Sequence, residues 1–482
     1  MIQEKISDIL TKIMLAIFIF VIGFPVLSKV MDIEHKSYIL AFMMAAIIFV
    51  GYILIKKKQK SFGKFFEKLG AVKTAIILSI VCFAINLGWV IYMQLEPTVD
   101  FYTFWHTATQ LAEGTEIEQK AYLGLFPHIL GYSTFLSVML RIFGQSTMTA
   151  AVVNVMLTTL SGVIIFVLCL RWKNLNSAVF GFLLWTVCPS KMLYNSMVLS
   201  EPYYTFLLLC FILIVSYLEE KADNKMSWML YGVWGIPAAL LIEGINSARP
   251  IAAIPVIAFF IWLLVLRGSR LKDKSQWKKW ISFAVVLLLM SGVFKNCWNI
   301  YAENIIEEEL PEKPGYSIYV GFNPESMGSY SDEDMNMLLD YRYNVYGNAF
   351  DAQEKMLEEA KNRITNSNIS LPALFAEKLK TLLGNDEGGV YYSKAALNNI
   401  QYSVYAMASN IFYYFIVMLA VYKAFMLIKK PEKKSLLLIP LYPIGLALAH
   451  MLVEVAGRYH YSIIPMIIIM ASLQIEKKEK EI

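Results

Sequence analysis

Apolar runs close to the length of a bilayer-crossing helix recur along the chain, separated by short polar punctuation. A helix needs about 20 mostly apolar residues to cross the hydrocarbon core. Runs of that kind occupy residues 11–30, 37–55, 74–95, 123–143, 147–170, 177–195, 203–218, 228–245, 250–267, 280–300, 406–428, 435–453 and 460–475. The pattern predicts an all-α polytopic membrane protein. The single long polar interval, 301–404, predicts a small mixed region outside the bilayer. It carries an amphipathic helix near 346–364 and a second helix opening at Leu371-Pro372, where proline suits the first turn. The expected division is a membrane part over 1–300 with an external loop at 96–122, the polar region 301–404, and closing helices with a tail over 405–482.

Charge at the ends of the runs orients them. Short basic loops stay in the cytoplasm, which places Lys56, Lys57, Lys58, Lys60 and Lys64 inside, together with residues 267–279, residues 429–434 and the tail at Lys477, Lys478 and Lys480. The third run then delivers Asp100 to the outer face, and the polar region 301–404 emerges on that same face. Arg171-Trp172-Lys173 reads as cytoplasmic, which leaves room for one full crossing between it and Asp100. Either 123–143 or 147–170 is therefore re-entrant or interfacial. The first, with Pro127 and Gly131, is the better candidate, because irregular backbone is tolerated where protein covers it. About twelve crossing helices result. Glu201 and Arg249 then join Asp100 outside, whereas two crossings would put Glu201 inside.

Composition agrees with a bilayer environment: 57% of the 482 residues are hydrophobic and 17% charged, against about 25% charged in soluble proteins. The net charge of +5 does not mark a nucleic-acid partner, because the basic residues sit in short loops rather than in an aromatic-interleaved surface. The five cysteines have no paired spacing and read as small apolar groups. His106, His128 and His460 lack metal-ligand spacing, so no metal ligand set is assigned. The acidic clusters at 307–309 and 332–334 lack an alternating calcium-loop pattern and read as solvated surface.

Ionisable groups at the ends of membrane helices are functional candidates by default, because each is costly there. Asp100, Glu201, Arg249 and Arg458 all fall at outer ends in this threading. Two carboxylates and two guanidiniums are the parts needed to activate a hydroxyl and to hold an anionic phosphate leaving group. Asp100 is the candidate base. Arginine suits the phosphate because its planar fork pairs two oxygens and stays charged. Lys191 is a lesser phosphate candidate, and Tyr102, His128, Tyr459 and His460 are candidates for contacting a sugar. Each also has a plain reading: Glu201, ahead of Pro202, complements a helix dipole, arginines snorkel to headgroups, and tyrosines form interfacial belts.

The stretch Val99-Asp100-Phe101-Tyr102-Thr103-Phe104-Trp105-His106-Thr107-Ala108-Thr109-Gln110-Leu111-Ala112-Glu113-Gly114 resembles the first external loop of the GT-C glycosyltransferases, the class of protein O-mannosyltransferases and aminoarabinose transferases. Phe126-Pro127-His128, Phe143-Gly144, Leu199-Ser200-Glu201, Ala248-Arg249-Pro250 and Gly457-Arg458-Tyr459-His460-Tyr461 follow in the family's order. The resemblance implies a catalytic Asp100, a donor-phosphate role for Arg249 and Arg458, and a polyprenyl-phosphate-linked sugar as donor. Many relatives place a second acid after the aspartate, where this chain has Phe101. Metal use therefore stays open, and no resident cofactor is assigned.

The function expected is sugar transfer from that donor to an acceptor at the outer face of the cell membrane. The acceptor is a polymer, a lipid or a protein, and a donor synthase is the expected upstream partner. A flippase for a lipid-linked sugar and a polysaccharide polymerase or ligase are the competing readings. No duplicated halves support the flippase.

Overall fold

In hydrocarbon every backbone N–H and C=O must find its partner within the chain, which restricts open segments to helix. The computed structural model describes residues 2–32, 36–56, 62–222, 226–267, 274–366, 369–432 and 434–473, and among these the regular structure is helical throughout. Several basic residues used to orient the chain, namely Lys57, Lys58, Lys60, residues 268–273, Lys433, Lys477, Lys478 and Lys480, lie outside the described residues.

Nine helices among the described residues are long and apolar enough to cross a membrane: Glu4–Val30, Lys36–Leu54, Ala71–Tyr92, Thr147–Trp172, Glu201–Lys221, Trp228–Ala248, Ser275–Ile306, Asn399–Lys429 and Ser435–Leu452. The protein is a multi-pass membrane protein. Four of the expected runs are interrupted. The run 123–143 divides into Lys120–Leu125 and His128–Phe143, with Pro127 at the break. The run 177–195 divides into Leu175–Thr186 and Pro189–Asn195. A proline lacks the N–H that a continuing helix needs and clashes with the preceding turn. At 1.5 Å per residue, His128–Phe143 spans about 24 Å and falls short of a core about 30 Å thick.

The run 250–267 forms Ala253–Ile261 continued by a π-turn at Trp262–Leu266. The run 460–475 begins as a 3-10 turn, Gly457–Ile463, and ends as the short helix Ile464–Ser472. Every residue of that last helix is buried. It packs against Asn399–Lys429 and Leu175–Thr186, so protein rather than lipid surrounds it and a full-length span is not required. Lys36–Lys56 and Lys274–Ile306 carry long rows of exposed apolar residues, among them Met43, Ile47, Leu288 and Leu289, and form the lipid-facing rim.

Among its described residues the polar interval holds five helices joined by loops: Gly315–Gly321, Asp332–Asp340, Ala349–Asn366, Leu371–Leu383 and Gly388–Tyr392. Its small core of Tyr316, Val320, Leu338, Ala349, Ala352 and Met356 incorporates Leu125, so it is seated on the segment that follows Asp100. In its acidic clusters Glu307, Glu309, Asp332 and Glu333 are exposed, as expected, while Glu308 and Asp334 turn inward. Asp334 is buried and paired with Arg363 at 2.9 Å, Glu308 pairs with Arg342 at 2.9 Å, and Glu307 pairs with Lys120 at 2.7 Å. Burying a carboxylate requires such a partner, and these pairs lock the appendage together.

One close approach places the candidate site. A β-carbon built on Gly131 would stand 2.0 Å from the carbonyl oxygen of Ser247, so glycine lets His128–Phe143 lie directly on the end of Trp228–Ala248, just before Arg249. Gly131→Val must push the two helices apart and should cost about 1–3 kcal/mol, visible as a lower unfolding temperature in detergent. An unchanged unfolding temperature would mean the two helices do not touch there.

Candidate active site

Three polar helix ends and one turn meet at a single end of the bundle. Asp100 opens the helix Asp100–Glu113, directly after Val99, whose φ of 50° is a strained value for a β-branched residue. Glu201 opens Glu201–Glu220, with Pro202 in its first turn. Arg249 follows Trp228–Ala248 as its C-cap. Arg458 lies in the 3-10 turn Gly457–Ile463.

Arg458 is the centre of the group. Its guanidinium donates to Asp100 Oδ2 at 2.6 Å, and its Nε stands 4.0 Å from Glu201 Oε1, beyond hydrogen-bond length. Side-chain exposure falls from 36% at Asp100 through 12% at Arg458 to 3% at Glu201, so Asp100 marks the mouth and Glu201 the floor. The rings of Phe101, Tyr392 and Tyr459 surround the Arg458 guanidinium at 5.3 to 5.6 Å. Aromatic faces stabilise a cation without neutralising it.

Arg249 is bound differently. Its guanidinium lies 3.9 Å from the centre of the Tyr459 ring, and among the described residues no carboxylate forms an ion pair with it. The charges of Glu201 and Arg458 are close enough to act on it. Two half-buried guanidiniums, one with no carboxylate bound, form a ready receptor for an anion.

Tyr459 joins this pair to a residue that sequence reasoning missed. Its hydroxyl donates to Glu454 Oε1 at 3.3 Å, its ring stacks on His450 at 5.1 Å, and His450 Nδ1 donates to the Glu454 carbonyl at 2.8 Å. Burial raises the Glu454 carboxyl above its ordinary range, while Arg458 and Arg249 pull it down. The signal was available: Glu454 is an acid one residue past the end of the expected run 435–453, four before Arg458.

The other sequence candidates take varied positions. His128 begins its helix within reach of the charges of Arg249, Asp100 and Arg458, and so belongs to the group. His460 does not open toward it. Its Nδ1 donates to the Leu382 carbonyl at 2.7 Å and its Nε2 meets Asp386 Oδ1 at 3.0 Å, while Ser190 donates to Asp386 Oδ2 at 2.5 Å. Both ring nitrogens are used in anchoring the turn that carries Arg458. Lys191 is buried, donates to Asn86 Oδ1 at 2.9 Å and to the Thr186 carbonyl at 3.2 Å, and lies over Trp185. The structure brings it to a packing network rather than to the arginines. Tyr102 is exposed and stacks on His106, which pairs with Glu118 at 3.0 Å. An open cleft of about 790 Å³ runs beside this pair, lined by His106, Gln110, Glu113, Glu116, Glu118 and Lys120, and none of the arginine group lines it.

A second missed residue holds the site to the appendage. Lys378, fully buried, donates to the carbonyls of Gly321 at 2.8 Å, Met451 at 3.1 Å and Val453 at 2.7 Å. Three acceptors use all three hydrogens of an ammonium. Burial pushes that ammonium down to about 7, and the charge of Glu454 opposes the shift. The residue ties the end of Ser435–Leu452 to Leu371–Leu383 and so sets the height of Glu454.

A raised folded pKa in an acid means that the folded state holds the proton more tightly. The stability contributed by Glu454 is therefore full below its ordinary value of 4.5 and is lost as pH rises through the raised folded value. Glu454→Gln should abolish this fall, so its unfolding temperature relative to the parent should climb with pH across that window; parallel pH curves would remove the burial effect. No protein-family model matches the chain, and no curated protein sequence matches it. Among solved structures the chain is similar to ArnT from Cupriavidus metallidurans, crystallised bound to undecaprenyl phosphate, with 13% identity and a TM-score of 0.35 over 80% of this chain and 77% of that one. A likeness at that level leaves the function to be read from the side chains.

Proposed function

We propose that the protein is a membrane glycosyltransferase that moves a sugar from a polyprenyl-phosphate donor to an acceptor hydroxyl. The observation that carries this reading is the pair of guanidiniums, Arg458 bound to Asp100 at 2.6 Å and Arg249 with no carboxylate ion pair among the described residues, side by side at one end of the bundle. A lipid phosphate arriving from the bilayer binds Arg249 and competes with Asp100 for Arg458. Its binding frees Asp100.

The acceptor oxygen then attacks the anomeric carbon and the bond from that carbon to the phosphate oxygen breaks. The acceptor proton passes to Asp100, and the negative charge left on the polyprenyl phosphate is taken by Arg458 and Arg249. Glu201, on the buried floor, fixes the guanidinium from behind. His128 and Tyr459 are assigned to contact the sugar, on the ground that both adjoin the arginine group. The short basic segments, including Arg171, Arg267, Lys279 and Lys429, lie at the opposite ends of the helices, which supports an outer-face site.

With a labelled polyprenyl-phosphate sugar, Asp100→Asn should lower turnover roughly 10²- to 10⁴-fold, the usual worth of a general base, while retaining donor binding. Arg249→Ala should raise the donor KM and leave the acceptor KM in place. Unaltered turnover in Asp100→Asn would remove the assigned base, and an acceptor-only effect in Arg249→Ala would remove the phosphate role.

A further inference from the structure

Between Ser435–Leu452 and the turn Gly457–Ile463 the chain is not helical, and three consecutive residues there are each bonded to a different part of the appendage. The Val453 carbonyl accepts from Lys378 at 2.7 Å, Glu454 donates its N–H to the Ser317 carbonyl at 2.8 Å, and Val455 donates its N–H to the Gly328 carbonyl at 2.9 Å. Gly321 lies so close that a β-carbon there would stand 2.7 Å from the Val453 carbonyl carbon. Each residue has only two soft backbone dihedrals, so three successive anchors fix the direction in which the Glu454 side chain leaves the main chain.

That direction is toward Tyr459, whose hydroxyl donates to Glu454 Oε1 at 3.3 Å. The Tyr459 ring is held a second time, stacked on His450 at 5.1 Å with an interplanar angle of 20°, and His450 Nδ1 donates to the Glu454 carbonyl at 2.8 Å. His450, Glu454 and Tyr459 thus close a ring of contacts that immobilises one aromatic side chain. Over the ring so fixed lies Arg249, 3.9 Å from its centre, and Arg458 stands 5.6 Å from the same centre. An aromatic face holds a guanidinium through its charge and leaves the N–H donors free, whereas a carboxylate takes them up in hydrogen bonds. Glu201, 4.0 Å from the neighbouring Arg458, is the carboxylate onto which a loosened Arg249 would fall. The mounting of Tyr459 therefore decides whether Arg249 presents free donors or a spent ion pair.

We infer that Glu454 is a positioning residue for the donor site: through the Tyr459 hydroxyl it fixes the ring over which Arg249 is kept free for the polyprenyl phosphate. This rests on the transferase reading above and extends it, because the appendage that anchors Glu454 then sets phosphate affinity without touching the phosphate.

The test measures binding of farnesyl monophosphate to the full chain in detergent by isothermal titration calorimetry. Glu454→Ala and Tyr459→Phe should each weaken binding roughly three- to tenfold, the range expected when a cation–ring contact loosens. The double variant should bind within about twofold of the weaker single variant, because both changes cut one connection. Glu454→Gln keeps an oxygen for the hydroxyl and should bind within about twofold of the parent. Unchanged binding in Tyr459→Phe overturns the inference, even where Glu454→Ala does not fold. Losses that multiply in the double variant overturn it as well. So does a loss in Glu454→Gln equal to that in Glu454→Ala, which would assign the effect to charge rather than to the hydrogen bond. Arg249→Ala separates the two readings. A parent that binds no farnesyl monophosphate, or an Arg249→Ala variant that binds it as the parent does, removes the transferase reading and this inference with it. A loss in Arg249→Ala with Tyr459→Phe unaffected removes only the role of Glu454.

Discussion

A guanidinium withdrawn from water carries a large desolvation penalty that an opposite charge offsets, and Arg458 draws its carboxylates from two distant parts of the chain. Asp100 lies 358 positions away in sequence and binds it at 2.6 Å, while Glu201 stands behind it at 4.0 Å. Neither carboxylate could leave without stranding the charge. The cation thereby staples the loop after Ala71–Tyr92 to the start of Glu201–Glu220 and to the turn before the central helix Ile464–Ser472. The same staple is the proposed catalytic device: an anion that satisfies Arg458 can replace Asp100 without exposing an unpaired charge, so donor binding and release of the base become one event.

Around that staple the structure spends buried polar groups on position. Lys378 holds three carbonyls that no helix satisfies, and each would cost about 1–3 kcal/mol if left bare. His460 gives up both ring nitrogens to Leu382 and Asp386. The appendage is consequently part of the membrane site rather than a passenger on it. Gly315–Gly321 and the loop after it are bonded to Glu454 and Val455 through the main chain, so a shift in the appendage is felt at the carboxylates.

The membrane character, the long helices and the helices near 349–366 and 371–383 were legible because apolar length and helical periodicity are local properties. The breaks at Pro127 and Pro189 were visible as prolines, yet an apolar run does not say whether protein or lipid will surround it. The rule that charged groups at helix ends are informative selected Asp100, Glu201, Arg249 and Arg458, which the fold brings together. It also selected Lys191, which turns inward to Asn86, because the rule senses depth and not direction. Glu454 met the same rule and was passed over, and Lys378 lay in the helix expected from Leu371 in the external polar region. Its burial depends on where Met451 and Val453 fall, and no local pattern carries that.

The most direct measurement is a cryo-electron microscopy structure of the protein with a polyprenyl monophosphate. The account predicts phosphate oxygens within hydrogen-bond reach of both Arg249 and Arg458, and an Asp100 carboxylate moved off the guanidinium from its present 2.6 Å. A phosphate bound elsewhere, with the Arg458–Asp100 pair intact, would contradict it.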